Sequence, residues 1–299
     1  MKYAIVIDSS SGLTKKQAEK LGWFYLPLYI TIDGKEYADG VELTSRNLFD
    51  KYTLKSDVKT STFNMGEAYN LFSDLSKTYD KIFVYSISKN LSSSYINFKS
   101  MENEFPKLKV IESIQITYLI PFDIVWFEHK MKEDSSKYEE YIQYIENGGF
   151  KKECSLIPKY NKYLIKGGRL HPSAAAIARL LKIVPIIKWE NGSLLKESIG
   201  RSFEKTCIKL IKSKAKDFEV EPGHELMVSY IHSGPKPDDL QLFQNTFKEE
   251  FEEIPFTEFI SPVVSVHTGP EAFVIILVSM PKWLKQEFLE KYEQIKNIQ

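Results

Sequence analysis

Cysteine is almost absent. Cys154 and Cys207 are the only two in 299 residues, which excludes a disulfide framework and a cysteine-based metal site and fits a reducing cytoplasm. Isolated thiols of this kind pack as small apolar side chains. Net charge is missing too: 40 basic residues balance 40 acidic ones, so neither a nucleic-acid footprint nor a polyanionic surface is expected. No apolar run reaches the length that crosses a bilayer, residues 272–278 being the longest late one,. The apolar stretch at the start stops at Asp8, too soon for a signal-peptide core, and reads as a strand. His129, His171, His224, His232 and His267 show no metal-ligand spacing, so no metal is expected. A Walker-type phosphate loop is also lacking, because Lys166-Gly167-Gly168-Arg169 is without the remaining glycine, lysine and hydroxyl.

What is present is an alternation of short β-branched or aromatic runs with longer helical patterns, the mark of βαβ units. The expected fold class is α/β with two domains. Residues 1–150 form a mainly parallel sheet flanked by helices, residues 151–299 a mixed sheet with helices, and a ligand cleft lies between them. The first half carries strands at 3–7, 23–32, 81–87 and 108–111, with helices at 14–21, 44–52, 66–77 and 93–104. Residues 118–144 are helical and aromatic-rich, interrupted by Pro121 and by the polar stretch 132–137. The second half carries strands at 155–157, 183–188, 194–197, 225–231 and 273–278, with helices at 172–181, 201–214, 237–247 and 283–296. Asp33-Gly34 and Asn191-Gly192 are hairpin signals, and Asn64 with Glu67 is a capping pair,.

The most informative segment follows the run Lys81-Ile82-Phe83-Val84-Tyr85-Ser86-Ile87. There the chain enters Ser88-Lys89-Asn90-Leu91-Ser92-Ser93-Ser94, a hydroxyl-rich strand end opening a helix, which is where open α/β sheets hold oxygen-bearing anions. Val58-Lys59-Thr60-Ser61-Thr62-Phe63-Asn64 is a second hydroxyl cluster ahead of a helix, read alone as a capping segment. Converging, the two loops would hold a small carboxylate through neutral donors. Asp8-Ser9-Ser10 orders its own loop; the second aspartate that a haloacid-dehalogenase phosphatase needs is Ser10 here. Arg169 reads equally as a surface anchor or a ligand contact. His267, in the turn before the last strand, reads as a structural hydrogen-bonder or as a group reaching the hydroxyl loops.

In this order, Ile7-Asp8-Ser9, Pro27-Leu28, Tyr37-Ala38-Asp39-Gly40, Lys59-Thr60-Ser61, Ile87-Ser88 with Leu91-Ser92, Tyr163-Leu164 with Lys166-Gly167-Gly168-Arg169, and His267-Thr268-Gly269-Pro270 resemble the DegV family, whose better-characterised members are fatty-acid-binding subunits of bacterial fatty-acid kinase. The resemblance covers nearly the whole chain. It implies a cytoplasmic, non-enzymatic carrier. Such a carrier buries a long-chain fatty acid in a tunnel between its domains, presents the carboxylate to a separate ATP-dependent kinase and carries the acyl phosphate toward phospholipid synthesis. It implies no cofactor beyond that acid, no nucleic acid and no membrane span, with transient contact at a membrane surface left open. Carried over by position, Thr60 and Ser92 resemble the carboxylate contacts, with Ser61, Ser93 and His267 close by, Arg169 lining the same cleft and Arg201 docking the kinase. This sequence departs from the family pattern at Thr62-Phe63 (usually Gln-Pro), Ser93-Ser94 (usually Gly-Thr), Glu112 (usually Asp) and Glu271 (usually Gly). The rival reading is an acyl hydrolase using Ser92 or Ser61 with His267; it lacks a Gly-x-Ser-x-Gly elbow and a third triad member. A structural or interaction module is the remaining alternative.

Overall fold

The computed structural model describes residues 1–179 and 182–298. The first half contributes strands β1 (Tyr3–Asp8), β2 (Phe24–Leu26), β3 (Tyr29–Ile32), β4 (Lys35–Ala38), β5 (Val58–Ser61), β6 (Lys81–Tyr85) and β7 (Leu108–Val110). The second contributes β8 (Lys152–Ile157), β9 (Val184–Glu190), β10 (Ser193–Gly200), β11 (His224–His232), β12 (Phe256–Phe259) and β13 (Phe273–Pro281). A four-stranded sheet in the order β2-β1-β6-β7 is parallel throughout. A six-stranded sheet, β10-β9-β8-β13-β11-β12, is antiparallel except for β11 beside β12. The protein is therefore α/β with one parallel and one mixed sheet, as the alternation predicts.

Both sheets bury both faces, which is why their central strands read as unbroken apolar runs. On β6, Ile82 and Val84 pack with Phe72 and Phe98 of the outer helices Met65–Thr78 and Ser94–Ser100, while Phe83 and Tyr85 face the opposite way. On β13, Phe273, Ile275 and Leu277 pack with Cys207 and Phe243 of helices Phe203–Asp217 and Pro237–Phe251, and Val274, Ile276 and Val278 turn inward. The two inward faces share one core, filled from between by helices Leu119–Glu133 and Lys282–Glu293, where Phe122 meets Phe288. Both cysteines are buried. Among the described residues no helix is long and apolar enough to cross a membrane.

Local signals hold where the chemistry is local. Thr14 and Gln17 form a reciprocal capping box, and Asn64 Oδ1 accepts from the N–H groups of Gly66 and Glu67. Both hairpins form, with positive φ at Asp33, Gly34, Asn191 and Gly192. Other expectations need correction. The run 23–32 splits at Pro27-Leu28, and β3 leaves the parallel sheet to pair with β4 and β5 in a separate antiparallel three-stranded sheet. Pro121 does not interrupt its helix, because it sits in the first turn, where the missing N–H has no intrahelical partner,. Of the helix expected over 172–181, Pro172–Ala178 forms, while Leu180 and Leu181 lie outside the described residues.

Two buried carboxylates pin the ends of these strands. Asp8 Oδ2 accepts from Ile87 N at 2.8 Å and Oδ1 from Ser10 N at 3.0 Å, fastening β1 to the end of β6. Asp39 Oδ2 accepts from Val263 N at 3.2 Å, in the first turn of helix Pro262–Thr268, and its Oδ1 is buried with no partner. Burial pushes the Asp39 carboxyl from 3.8 up to about 8, against the pull of its hydrogen bonds. The folded protein therefore holds a proton that the unfolded chain releases, and stability from this group falls as pH rises through that window. Asp39→Asn keeps an acceptor for Val263 and is expected to flatten the urea-midpoint profile above about 6, leaving below it the same-signed contribution of Asp8, itself raised to about 6. An unchanged slope would show that Asp39 is ionised in the folded state.

Candidate functional site

Where the shared core meets the three-stranded sheet, the packing leaves a cavity of about 340 Å³. All six residues singled out as ligand contacts, Thr60, Ser61, Ser92, Ser93, Arg169 and His267, lie on its wall, together with Leu28, Ile116, Leu164, Leu194, Val263 and Val264. The wall therefore draws on both halves of the chain. Arg201 is not among them: it is exposed in a separate groove with Ser202, Lys205 and Lys209, ahead of helix Phe203–Asp217.

Thr60 sits on β5 with its register set by Ile30 of β3. Alternation turns Thr60 toward the cavity and leaves Ser61 exposed at its mouth,. Thr60 Oγ1 lies 3.2 Å from His267 Nε2 and accepts from Arg169 Nη2 at 3.3 Å, while Arg169 Nη1 donates to Gly167 O at 2.7 Å. His267 belongs to the last turn of helix Pro262–Thr268 rather than to a turn before the strand. Valines at 263, 264 and 266 hide that helix from propensity, and Pro262, Asp39 and the stop at Gly269 supply it. Burial, then the Arg169 charge, lowers the imidazole to about 3; it is neutral at pH 7. Its Nδ1 is buried without a partner and faces Gly167, where a Cβ would come within 2.6 Å.

The Ser88 turn has two jobs. Ser88 itself is occupied, since its Oγ donates to Gly192 O at 2.8 Å while Asn90 Nδ2 donates to Asn191 O at 3.0 Å, clasping the β9–β10 hairpin. Ser92 Oγ accepts from Ser94 N at 3.1 Å and lies 2.9 Å from Ser94 Oγ, keeping a further valence toward the cavity,. Neither Ser92 nor Ser61 bonds His267, and no carboxylate holds the free imidazole nitrogen, so the arrangement lacks the connections of a hydrolytic triad,.

Three departures from the expected motifs find local explanations. Thr62 Oγ1 accepts from Asn97 Nδ2 at 3.2 Å and the Phe63 ring stacks on Phe98 at 3.6 Å, so the two hydroxyl loops are tied together. Ser93 has φ −75°, which any residue adopts, so glycine is not required there by the backbone,. Glu271 has φ +56°, a left-handed conformation that favours glycine,. Its carboxylate pairs with Lys159 at 2.6 Å and accepts from Tyr160 at 3.0 Å, and it faces neither the cavity nor bulk solvent alone. Glu112 pairs with Lys89 and accepts from the Tyr95 hydroxyl at 3.3 Å; nothing further in the structure explains it in place of aspartate.

A family profile described as "Uncharacterised protein, DegV family" matches residues 2–280. The chain belongs to the DegV family. A DegV domain-containing protein of Mycoplasmopsis pulmonis is 39% identical over 292 residues, covering 98% of this chain and 100% of its own. One from Staphylococcus aureus is 26% identical, covering 93% and 99%. Among solved structures, DegV of Bacillus subtilis, described as a fatty acid binding protein, superposes with a TM-score of 0.78 at 20% identity over 93% of this chain and 99% of its own. A DegV family protein of Thermus thermophilus, described by its fatty acid binding, gives 0.77 at 18% identity over 94% and 100%. At these identities the structural likeness establishes the fold.

Gly167→Ala tests the contact between His267 and Thr60 directly. Alanine favours helix, but its Cβ would strike His267, so the imidazole is expected to leave Thr60, seen as a displaced His267 ring resonance in long-range ¹H–¹⁵N spectra. An unmoved resonance in a folded variant would show that the helix gives way instead.

Proposed function

We propose that this protein binds a long-chain fatty acid with its carboxylate at Thr60, Ser92, His267 and Arg169 and its tail in the hollow between the sheets. In this reading a separate ATP-dependent kinase phosphorylates the carboxylate, and the protein carries the acyl phosphate as a cytoplasmic supplier for phospholipid synthesis. The observation that carries the proposal is the polarity gradient of one cavity: hydroxyls and an exposed guanidinium at the mouth, a buried neutral imidazole against Thr60, and aliphatic side chains behind. The relatives described as fatty acid binding proteins support the choice of ligand.

Energetics favour a carrier of this design. Each buried methylene contributes roughly 0.8 kcal/mol, so about fifteen offer on the order of 12 kcal/mol before association costs. The tail can supply affinity while the head is merely positioned, and a head held near the surface by hydroxyls, an imidazole and the exposed Arg169 remains open to a partner. No Walker loop is present, which is why phosphoryl transfer is assigned to a partner; Arg201, with Lys205 and Lys209 beside it, is the candidate docking surface. The reading needs no metal and no cofactor other than the acid.

Delipidated protein is expected to take up palmitate or oleate in calorimetric titration. Thr60→Ala and Arg169→Ala should each weaken binding about tenfold, the worth of one hydrogen bond to a charged group. With ATP, acyl phosphate should form only when the kinase is added. Failure to recover a long-chain acid from purified protein, together with no uptake of either acid, would overturn the proposal.

A further inference from the structure

The cavity at Thr60 and His267 is bounded on one side by Leu194 and Val264. These residues, with Ile116 and Thr268, also line a second hollow of about 50 Å³ whose wall is mostly aliphatic, with the buried Thr117 and Thr268 hydroxyls set into it. The two spaces are therefore adjacent across these side chains, and the second lies against the inward face of the mixed sheet. Its far side is made by Cys154 and Trp189, which sit directly opposite each other on β8 and β9. Burial pushes the Cys154 thiol up to about 12, so this wall is uncharged at neutral pH.

Beyond the same two side chains the surroundings change character. Cys154 and Trp189 also line a groove of about 450 Å³ whose other walls include Lys152, Lys188, Glu190 and Lys214. The indole and the thiol thus separate an apolar hollow from an ionic one. Trp189 lies just ahead of the Asn191-Gly192 hairpin tip, which Ser88 and Asn90 hold from the other half of the chain, so the partition is fixed in place by the loop that also carries Ser92.

We infer that Trp189 is the chain-length stop of the acyl tunnel: the terminal methyl of the bound acid rests against its indole, and straight chains too long to end there are rejected. The inference rests on the fatty-acid reading above and adds to it which residue sets the upper limit. Shortening Trp189 opens the hollow toward the groove, and two further buried methylenes are worth about tenfold in affinity.

The test is a titration series of laurate, palmitate, stearate, behenate and lignocerate against wild type, Trp189→Ala and Thr60→Ala. Wild-type affinity should rise to an optimum and then fall. Trp189→Ala should raise the behenate-to-palmitate affinity ratio at least tenfold, whereas Thr60→Ala should weaken every acid alike. Should the alanine variant fail to fold, palmitate brominated at its terminal carbon reports instead. It should quench the emission lost in Trp189→Phe, and 2-bromopalmitate should not. An unchanged ratio in folded Trp189→Ala, or equal quenching by both acids, overturns the stop while palmitate binding leaves the parent reading intact. Absence of palmitate binding by wild type overturns both.

Discussion

The layer between the two sheets is one core, and everything at the site follows from where that core runs out. Helices Leu119–Glu133 and Lys282–Glu293 fill it at one end with aromatic rings packed edge to face, Phe122 against Phe288 and Tyr292 against Phe256 of β12. Toward the three-stranded sheet the short helices Asn161–Gly167 and Pro262–Thr268 reach in, and the facing surfaces of Ile116, Leu194 and Val264 stand apart. A hollow of this kind loses dispersion contacts and would be expected to collapse. What opposes collapse is a set of directional links around its rim: Asp39 to Val263, Ser45 Oγ to Ile260 O, Ser88 to Gly192, and Asn97 to Thr62. Hydrogen bonds fix separation as well as proximity, so they hold the sides at a set distance where apolar packing alone would draw them together.

The departures from the family motifs take on meaning in this frame. A proline after Thr60-Ser61-Thr62 would stiffen the loop by itself; Phe63 achieves a comparable constraint by stacking on Phe98, and Thr62 adds the link to Asn97. Glu271 accepts a strained backbone, a cost of order 1 kcal/mol for a residue other than glycine, and returns an ion pair to Lys159, itself paired with Asp239 at 2.9 Å. With its side chain engaged there, Glu271 leaves Arg169 as the charged group at the mouth. The electrostatics of the cradle are therefore those of one exposed guanidinium and one neutral imidazole.

Much of the fold was legible because its determinants are local. Asp33-Gly34 and Asn191-Gly192 demand positive φ and a tight turn wherever they occur, and Ile82 through Tyr85 is apolar on both faces because helices cover both. The hydroxyl clusters were legible as a pair, since strand ends and helix starts are where such groups collect. What the sequence conceals is set at a distance. Thr60 lies on a strand whose polar alternation, Lys59 and Ser61 outward, resembles a capping loop until β3 is beside it. His267 lies on a helix that its own valines disfavour. Ser88 spends its hydroxyl on a carbonyl more than a hundred residues away. Trp189 gives no local signal at all, because a partition is defined by the two spaces it separates.

If the proposed acid binds here, the same geometry favours one direction for it. A carboxylate drawn inward past Thr60 and His267 would exchange the solvent-exposed Arg169 for aliphatic walls, and would lose solvation without gaining a counter-charge,. A methyl terminus pushed outward would exchange an apolar wall for water. Head and tail thus oppose reversal for independent reasons, one electrostatic and one hydrophobic. In the proposed reading the head would stay at the rim with its outer oxygen toward solvent, where a phosphoryl donor on another protein could reach it without the tail leaving the core.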